Sequence, residues 1–167
     1  METHPYIAEK ENIKPASCGG FVISADGQRL WLLQRDNFPQ IPYRGKWGIL
    51  GGRSEPGESP LDTFIREVRE EANVTLDEQQ ITLLGNLDAG DDRDHCKHIA
   101  MAKLTPQQEL QIRKGNEGQR IASFSPEELS HLDLVPDLYI LFKSPEAIRN
   151  LVSGQSPDLD TLGLVHY

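Results

Sequence analysis

Three carboxylates, Glu67, Glu70 and Glu71, follow closely on the Gly-rich stretch that begins at Gly51-Gly52. Oxygen donors of this kind suit a hard divalent cation. Mg2+ in particular keeps several waters and binds jointly with substrate phosphates. A loop rich in glycine set against such a group of acids is a way to hold divalent metal over a phosphate chain. That chemistry requires a single element to present all three acids on one side.

The residues between them predict that element. Ser59-Pro60 is a helix start, because Ser caps free N–H groups and Pro is tolerated in the first turn. Leu61, Phe64, Ile65, Val68 and Ala72 then recur at the three-and-four spacing of an amphipathic helix. At about 100° per residue they form one stripe, and Glu67, Glu70 and Glu71 fall on an arc of roughly 100° beside it. The acids therefore belong at the margin of the buried face, where partial desolvation is expected. Asn73 follows as a left-handed C-cap, a role Gly usually takes. Like charges at this spacing cost about a few tenths of a kcal/mol per pair. Arg66 and Arg69 are expected to project mainly to the other side, with Asp62, Arg66 and Glu70 as a charged ladder and Glu67 and Glu71 unpartnered. Three Glu on a helix would by themselves more often be a solvated acidic face; the spacing of the whole run argues otherwise.

Read from Gly52, five residues precede Glu58, seven more precede Arg66-Glu67-Val68, and Glu70-Glu71, Asn73 and Val74 complete the run. This resembles the Nudix box, matching every fixed position except the last Gly, here Asn73. The resemblance implies hydrolysis of a nucleoside diphosphate linked to another group, with water and Mg2+ or Mn2+. It implies Glu67, Glu70 and Glu71 as metal ligands, a backbone carbonyl ligand from Gly52, Arg66 orienting the acids and Glu58 bracing the loop. Gly115-Asn-Glu117-Gly118-Gln119 is similar to a segment that supplies a further metal ligand or base in antimutator-type nucleoside triphosphate pyrophosphohydrolases; an ordinary solvent-facing turn is the equal alternative. Asp137 stands where those enzymes place a purine-binding Asn or Asp, although a helix N-cap suits it better. Leu50, where many relatives carry Pro, departs from the antimutator pattern. Nucleotide-sugar or ADP-ribose hydrolysis, and a non-catalytic nucleotide-binding module, are the competing readings.

Other residues are open to two uses. Arg35 can meet a phosphate or ribose, or be a surface cation. Trp47 can line a base pocket or pack in the core. His95, Cys96 and His98 suggest a soft-metal cluster, but strand alternation sends His95 and His98 to opposite faces. Tyr43, Lys46, Asp91, Asp92 and Asp94 lie in loops able to reach substrate.

The elements around these residues read as strands over 17–24, 29–35, 47–50, 81–88, 96–104 and 120–124, with a hairpin turn at 25–28. A loop runs from 37 to 46 and an acidic one from 89 to 94. A short helix begins at Ser125, a longer one runs from 135–137 to about Lys143 and another from Ser144-Pro145 to about Val152, while 107–117 carries no clear pattern. Strands with helices on both faces suit an α/β/α sandwich with a mixed sheet, the Nudix-type fold. The expected organisation is a polar N-terminal arm over 1–14, one domain over 15–152 and a C-terminal tail over 153–167. A formal net charge of −9 over 167 residues argues against stable nucleic-acid or membrane binding and leaves a nucleoside di- or triphosphate as the expected partner, with metal supplying positive charge. Two cysteines in no metal-like spacing, no signal pattern and no long apolar run point to a cytoplasmic protein. Members of the Nudix family are often homodimers, which makes a homodimer one expectation.

Overall fold

Strand β1, Ala16–Ile23, is the axis of the sheet. It runs parallel to β6, Cys96–Lys103, along its whole length, and β6 pairs antiparallel with β5, Ile81–Leu87. On its other side β1 meets two partners, β4 (Leu50–Arg53) at its start and β2 (Leu30–Gln34) at its end, both antiparallel. β3, Trp47–Gly48, and β7, Arg120–Phe124, pair with β2, so the seven described strands form one mixed sheet. The computed structural model describes residues 16–87, 96–136 and 145–153.

The period-two alternation of β1 sorts the core into two layers. Cys18 and Val22 face Leu50, Phe64, Val68 and Ala72, the last three from helix α1, Pro60–Ala72. Phe21 and Ile23 face Leu30, Leu32, Ile99, Leu129 and Leu151. Leu129 and Leu151 come from α3, Pro126–Leu129, and α4, Pro145–Val152. Helices on both faces of a mixed sheet make the sandwich that the sequence predicts.

Two segments differ from expectation. Residues 47–50 are not one strand: the chain changes partner at Ile49, with Gly48 opposite Leu33 and Gly52 opposite Cys18. β1 and β2 register only at Val22–Trp31 and Ile23–Leu30, which leaves the start of β1 open to β4. Gly51 and Gly52 are therefore strand residues. Helix α2, Pro106–Leu110, lies in the stretch without a clear pattern. The Thr105 hydroxyl accepts from the Gln108 N–H while the Gln108 side chain accepts from the Thr105 N–H, a capping box that was legible in Thr-Pro-Gln-Gln. Five residues are too few to show an apolar period. The helix expected from 135–137 to about Lys143 (beyond Pro136), the acidic loop over 89–94, the N-terminal arm and all but the first residue of the tail fall outside the described residues.

Candidate active site

Helix α1 is set at both ends by its own sequence. The Ser59 side chain accepts from the Asp62 N–H and the Asp62 carboxylate accepts from the Ser59 N–H. At the other end Asn73 adopts φ 60° and ψ 31°, the left-handed cap its residue type predicts. The last carbonyls of a helix need outside donors. Here the segment after α2 supplies them: Arg113 N–H donates to the Ala72 carbonyl at 3.0 Å and Gly115 N–H to the Glu71 carbonyl at 3.1 Å. Asn73 Nδ2 returns a bond to the Gln111 carbonyl at 3.1 Å. Satisfying the helix end thus draws the 111–117 segment, with Glu117, back to the acidic part of α1.

The carboxylates have partners that spacing along the helix did not reveal. Arg66 does not turn away from them. Its Nε donates to Glu58 Oε2 at 2.8 Å and its Nη2 to Glu58 Oε1 at 3.0 Å, a bidentate pair. Nη2 also donates to the Arg53 carbonyl, and Nη1 to Glu67 Oε1 at 3.0 Å and Glu70 Oε2 at 3.3 Å. Glu58 lies on the loop that precedes α1, so a helical projection omits it. Asp62 serves the N-cap. Glu71 is also partnered: its Oε1 accepts from the Gly51 N–H at 2.7 Å, across to β4. The Glu67 carboxylate lies against Gly52, where a β-carbon would come within 2.6 Å of its Cδ, so a side chain there would push the Glu67 carboxylate aside.

Burial and mutual repulsion dominate the electrostatics. Burial pushes the Glu71 carboxyl up to about 8 against the pull of the Gly51 N–H, and Glu67, Glu117 and Glu70 push it further the same way. Glu67 is raised, first by burial, with Glu70 and Glu117 adding to it and Arg66 opposing. Hydrogen bonds from Arg66 hold Glu58 below the ordinary carboxylate range. Four acids from two segments therefore feel one another. Among the described residues no group of three or more His, Cys, Asp or Glu side chains is arranged to hold a metal ion; Arg66 bonds Glu67 and Glu70, and Gly51 bonds Glu71. The donor set nevertheless suits a hard cation: carboxylate oxygens only, two of them raised by burial and by like charge.

A NUDIX domain family model matches residues 14–144. The chain belongs to the Nudix family. Pyrophosphohydrolases are typical of that family. Solved structures share the fold of this Nudix domain at low identity. A MutT/nudix family protein from Enterococcus faecalis is 20% identical with a TM-score of 0.58, covering 75% of this chain; the chain spans only 47% of that longer protein. MutT of Aliivibrio salmonicida and Vibrio cholerae is 18% identical, with 78% of this chain and 95% of that chain covered and a TM-score of 0.63. The NUDIX domain of Shewanella oneidensis NrtR, solved with ADP ribose, is 19% identical, with 86% and 96% covered and a TM-score of 0.63.

The remaining candidates of this Nudix domain are less concentrated. Trp47 is buried in the core, edge-on to Phe124 with ring centroids 4.9 Å apart, and the Arg120 guanidinium lies 5.3 Å from its ring. Its surroundings are those of a packing residue. Arg35 Nε donates to the Pro42 carbonyl at 2.8 Å, bracing the 36–46 loop on which Phe38 and Tyr43 are exposed. Lys46 pairs with Asp133 at 2.6 Å. Cys96 Sγ and His98 Nε2 are 3.4 Å apart on the same face of β6, whereas His95, Asp91, Asp92, Asp94 and Asp137 lie outside the described residues. Asp36 and Gln119 tie the Glu117 turn to the end of β2; Gln119 stood out only as part of the 115–119 segment and Asp36 gave no signal in the sequence, since their contacts span more than eighty residues.

Proposed function

We propose that this Nudix chain is a divalent-metal-dependent pyrophosphohydrolase, splitting the P–O–P bridge of a nucleoside diphosphate linked to a further group, with a nucleoside triphosphate, oxidised or not, as the favoured substrate. The observation that carries this reading is the return of the 111–117 segment to α1, where the Gly115 N–H bonds the Glu71 carbonyl and the charge of Glu117 adds to that of Glu67 and Glu70 on the buried Glu71. Such a set gains when a cation arrives. Glu67, Glu70, Glu71, Glu117 and the Gly52 carbonyl would hold Mg2+ or Mn2+. Bound there, the metal would neutralise charge developing on the phosphate oxygens and acidify water.

The chain's own residues then have separable tasks. Arg66 holds Glu67 and Glu70 in place and is itself fixed by Glu58 and the Arg53 carbonyl. Gly51 aligns Glu71 through its N–H. A glutamate of this set takes the proton of the attacking water, and water's oxygen ends on one of the two phosphate products. ADP-ribose is the second substrate reading, supported by the ligand of the Shewanella domain, which shares the fold.

The test is a panel of unmodified and oxidised dNTPs, ADP-ribose, GDP-mannose, a dinucleoside polyphosphate and capped RNA, with Mg2+ and with Mn2+. Glu70→Gln serves as the blank and is expected to cut turnover by orders of magnitude with the fold intact. One substrate cleaved far faster than the others, and lost in the mutant, supports the proposal. A Glu70→Gln enzyme with wild-type turnover overturns the metal assignment. Binding of nucleotide and metal with no cleavage of any panel member supports the non-catalytic module instead.

A further inference from the structure

Glu117 is exposed on a turn that lies beside the C-terminal end of α1 and has two anchors. On its N-terminal side Gly115 N–H is bonded to the Glu71 carbonyl. On its C-terminal side the residue next to Glu117, Gly118, donates its N–H to Asp36 Oδ2 at 3.0 Å. Gly118 is buried at φ +85°, and a β-carbon there would lie 2.8 Å from Leu33 Cδ1 and 2.9 Å from the Gln34 carbonyl. Side chains are strained in that backbone conformation and have no room, so only glycine lets the turn sit this close to β2. Gln119 adds two bonds, its N–H to the Gln34 carbonyl and its side chain to the Arg35 carbonyl. Asp36 has a second link: its carbonyl accepts from the Gly45 N–H at 3.1 Å, closing the 37–45 loop that exposes Phe38 and Tyr43. A charged acceptor on a backbone N–H makes one of the stronger hydrogen bonds.

We propose that Asp36 is a positioning residue: through Gly118 it fixes the turn that presents Glu117 to Glu67 and Glu71, and through Gly45 it ties that turn to the exposed loop over 37–45. The proposal rests on reading Glu117 as a metal ligand or base. It goes beyond that reading by naming what holds Glu117 in place and which surface loop shares the anchor. Phe38 and Tyr43 on that loop are thereby connected to the reacting end of the site.

The experiment compares wild type, Asp36→Asn, Asp36→Ala, Glu117→Gln and the double variant Asp36→Ala with Glu117→Gln. Asp36→Leu, similar in shape and lacking the acceptor, stands in if the Ala variant melts early. In metal-free protein, amide exchange at Gly118 should be fast in the Ala or Leu variant and slow in wild type and Asp36→Asn. Mn2+ affinity, followed by electron paramagnetic resonance without substrate, and kcat should fall in Asp36→Ala, about tenfold or more for kcat as displaced catalytic groups do. KM should change less than kcat. Asp36→Asn, which keeps an acceptor, should recover most of both. In the Glu117→Gln background the Asp36→Ala change should cost less than about twofold, because residues acting through one another are not additive. Equal losses in both backgrounds would overturn the proposal and leave Glu117 untouched. Wild-type rate and Mn2+ affinity in Glu117→Gln, with Glu70→Gln inactive, would overturn it through its premise while the hydrolase reading stands.

Discussion

Glu71 occupies a costly position for a carboxylate: it is buried, and the Gly51 N–H at 2.7 Å offsets only part of that cost. Its carboxyl is raised from 4.5 to about 8, so between those values the folded chain holds a proton that the unfolded chain has released. The stability this confers without metal is present below that range and is lost as pH rises through it. Glu71→Gln removes this dependence. Thermal melts in EDTA should show wild type falling relative to the Gln variant between about pH 5 and 8. Added Mg2+ at pH 8 should raise the melting temperature of wild type and leave the variant nearly unmoved. Parallel pH curves for the two proteins would contradict this account of Glu71. At the same scale, Glu67, Glu70 and Glu71 were legible as a group because their spacing along one helix is local. The grip of Arg66 on Glu58, Glu67 and Glu70 was missed by the helical projection, which omits the loop that carries Glu58, although the box pattern implied it.

At the scale of the element, α1 shows how far local rules reach. Ser59, Pro60, Asp62 and Asn73 set its limits through contacts within a few residues, and the structure keeps those limits. Asn73 stands where the family pattern has Gly, and its left-handed backbone explains why the two interchange. Asn73→Gly should therefore cost only about 0.5–1 kcal/mol, the side-chain bond to the Gln111 carbonyl being lost. Asn73→Ala loses the same bond and keeps a β-carbon in the left-handed region without the polar side chain that lets Asn tolerate it, about 1–2 kcal/mol more than Gly. Urea unfolding of the two variants checks the difference; equal losses would refute the backbone explanation. The strands over 47–53 were less legible, since their division at Ile49 depends on which neighbour each half finds.

At the scale of the whole molecule, a formal net charge of −9 confronts an anionic substrate. Long-range repulsion of this kind is strongest at low salt. A nucleotide analogue that resists hydrolysis should bind at least about tenfold more weakly in EDTA than in Mg2+, with the gap widening as salt is lowered. Calorimetry measures this directly. Equal affinity without metal would mean that the protein's own cations, Arg35 among them, neutralise the phosphates. The two-layer core sets the frame for this site: α1 lies on one face of the sheet and α3 and α4 on the other, so the acids of α1 border the β4 edge.

The sequence by itself determined the box spacing, the helix that carries it with both caps, most strands of the sheet and the family to which they belong. These rest on periodicity, capping and turn chemistry, which act over a few residues and so can be read along the chain. Tertiary structure alone decided that β3 and β4 take different partners, and it chose between the projection that turned Arg66 away from the acids and the box pattern that set it beside them. It also decided that Asp36 meets Gly118 across 82 residues. Such contacts follow from how sheet and helix ends satisfy their unpaired backbone groups, and that depends on which segments meet in space.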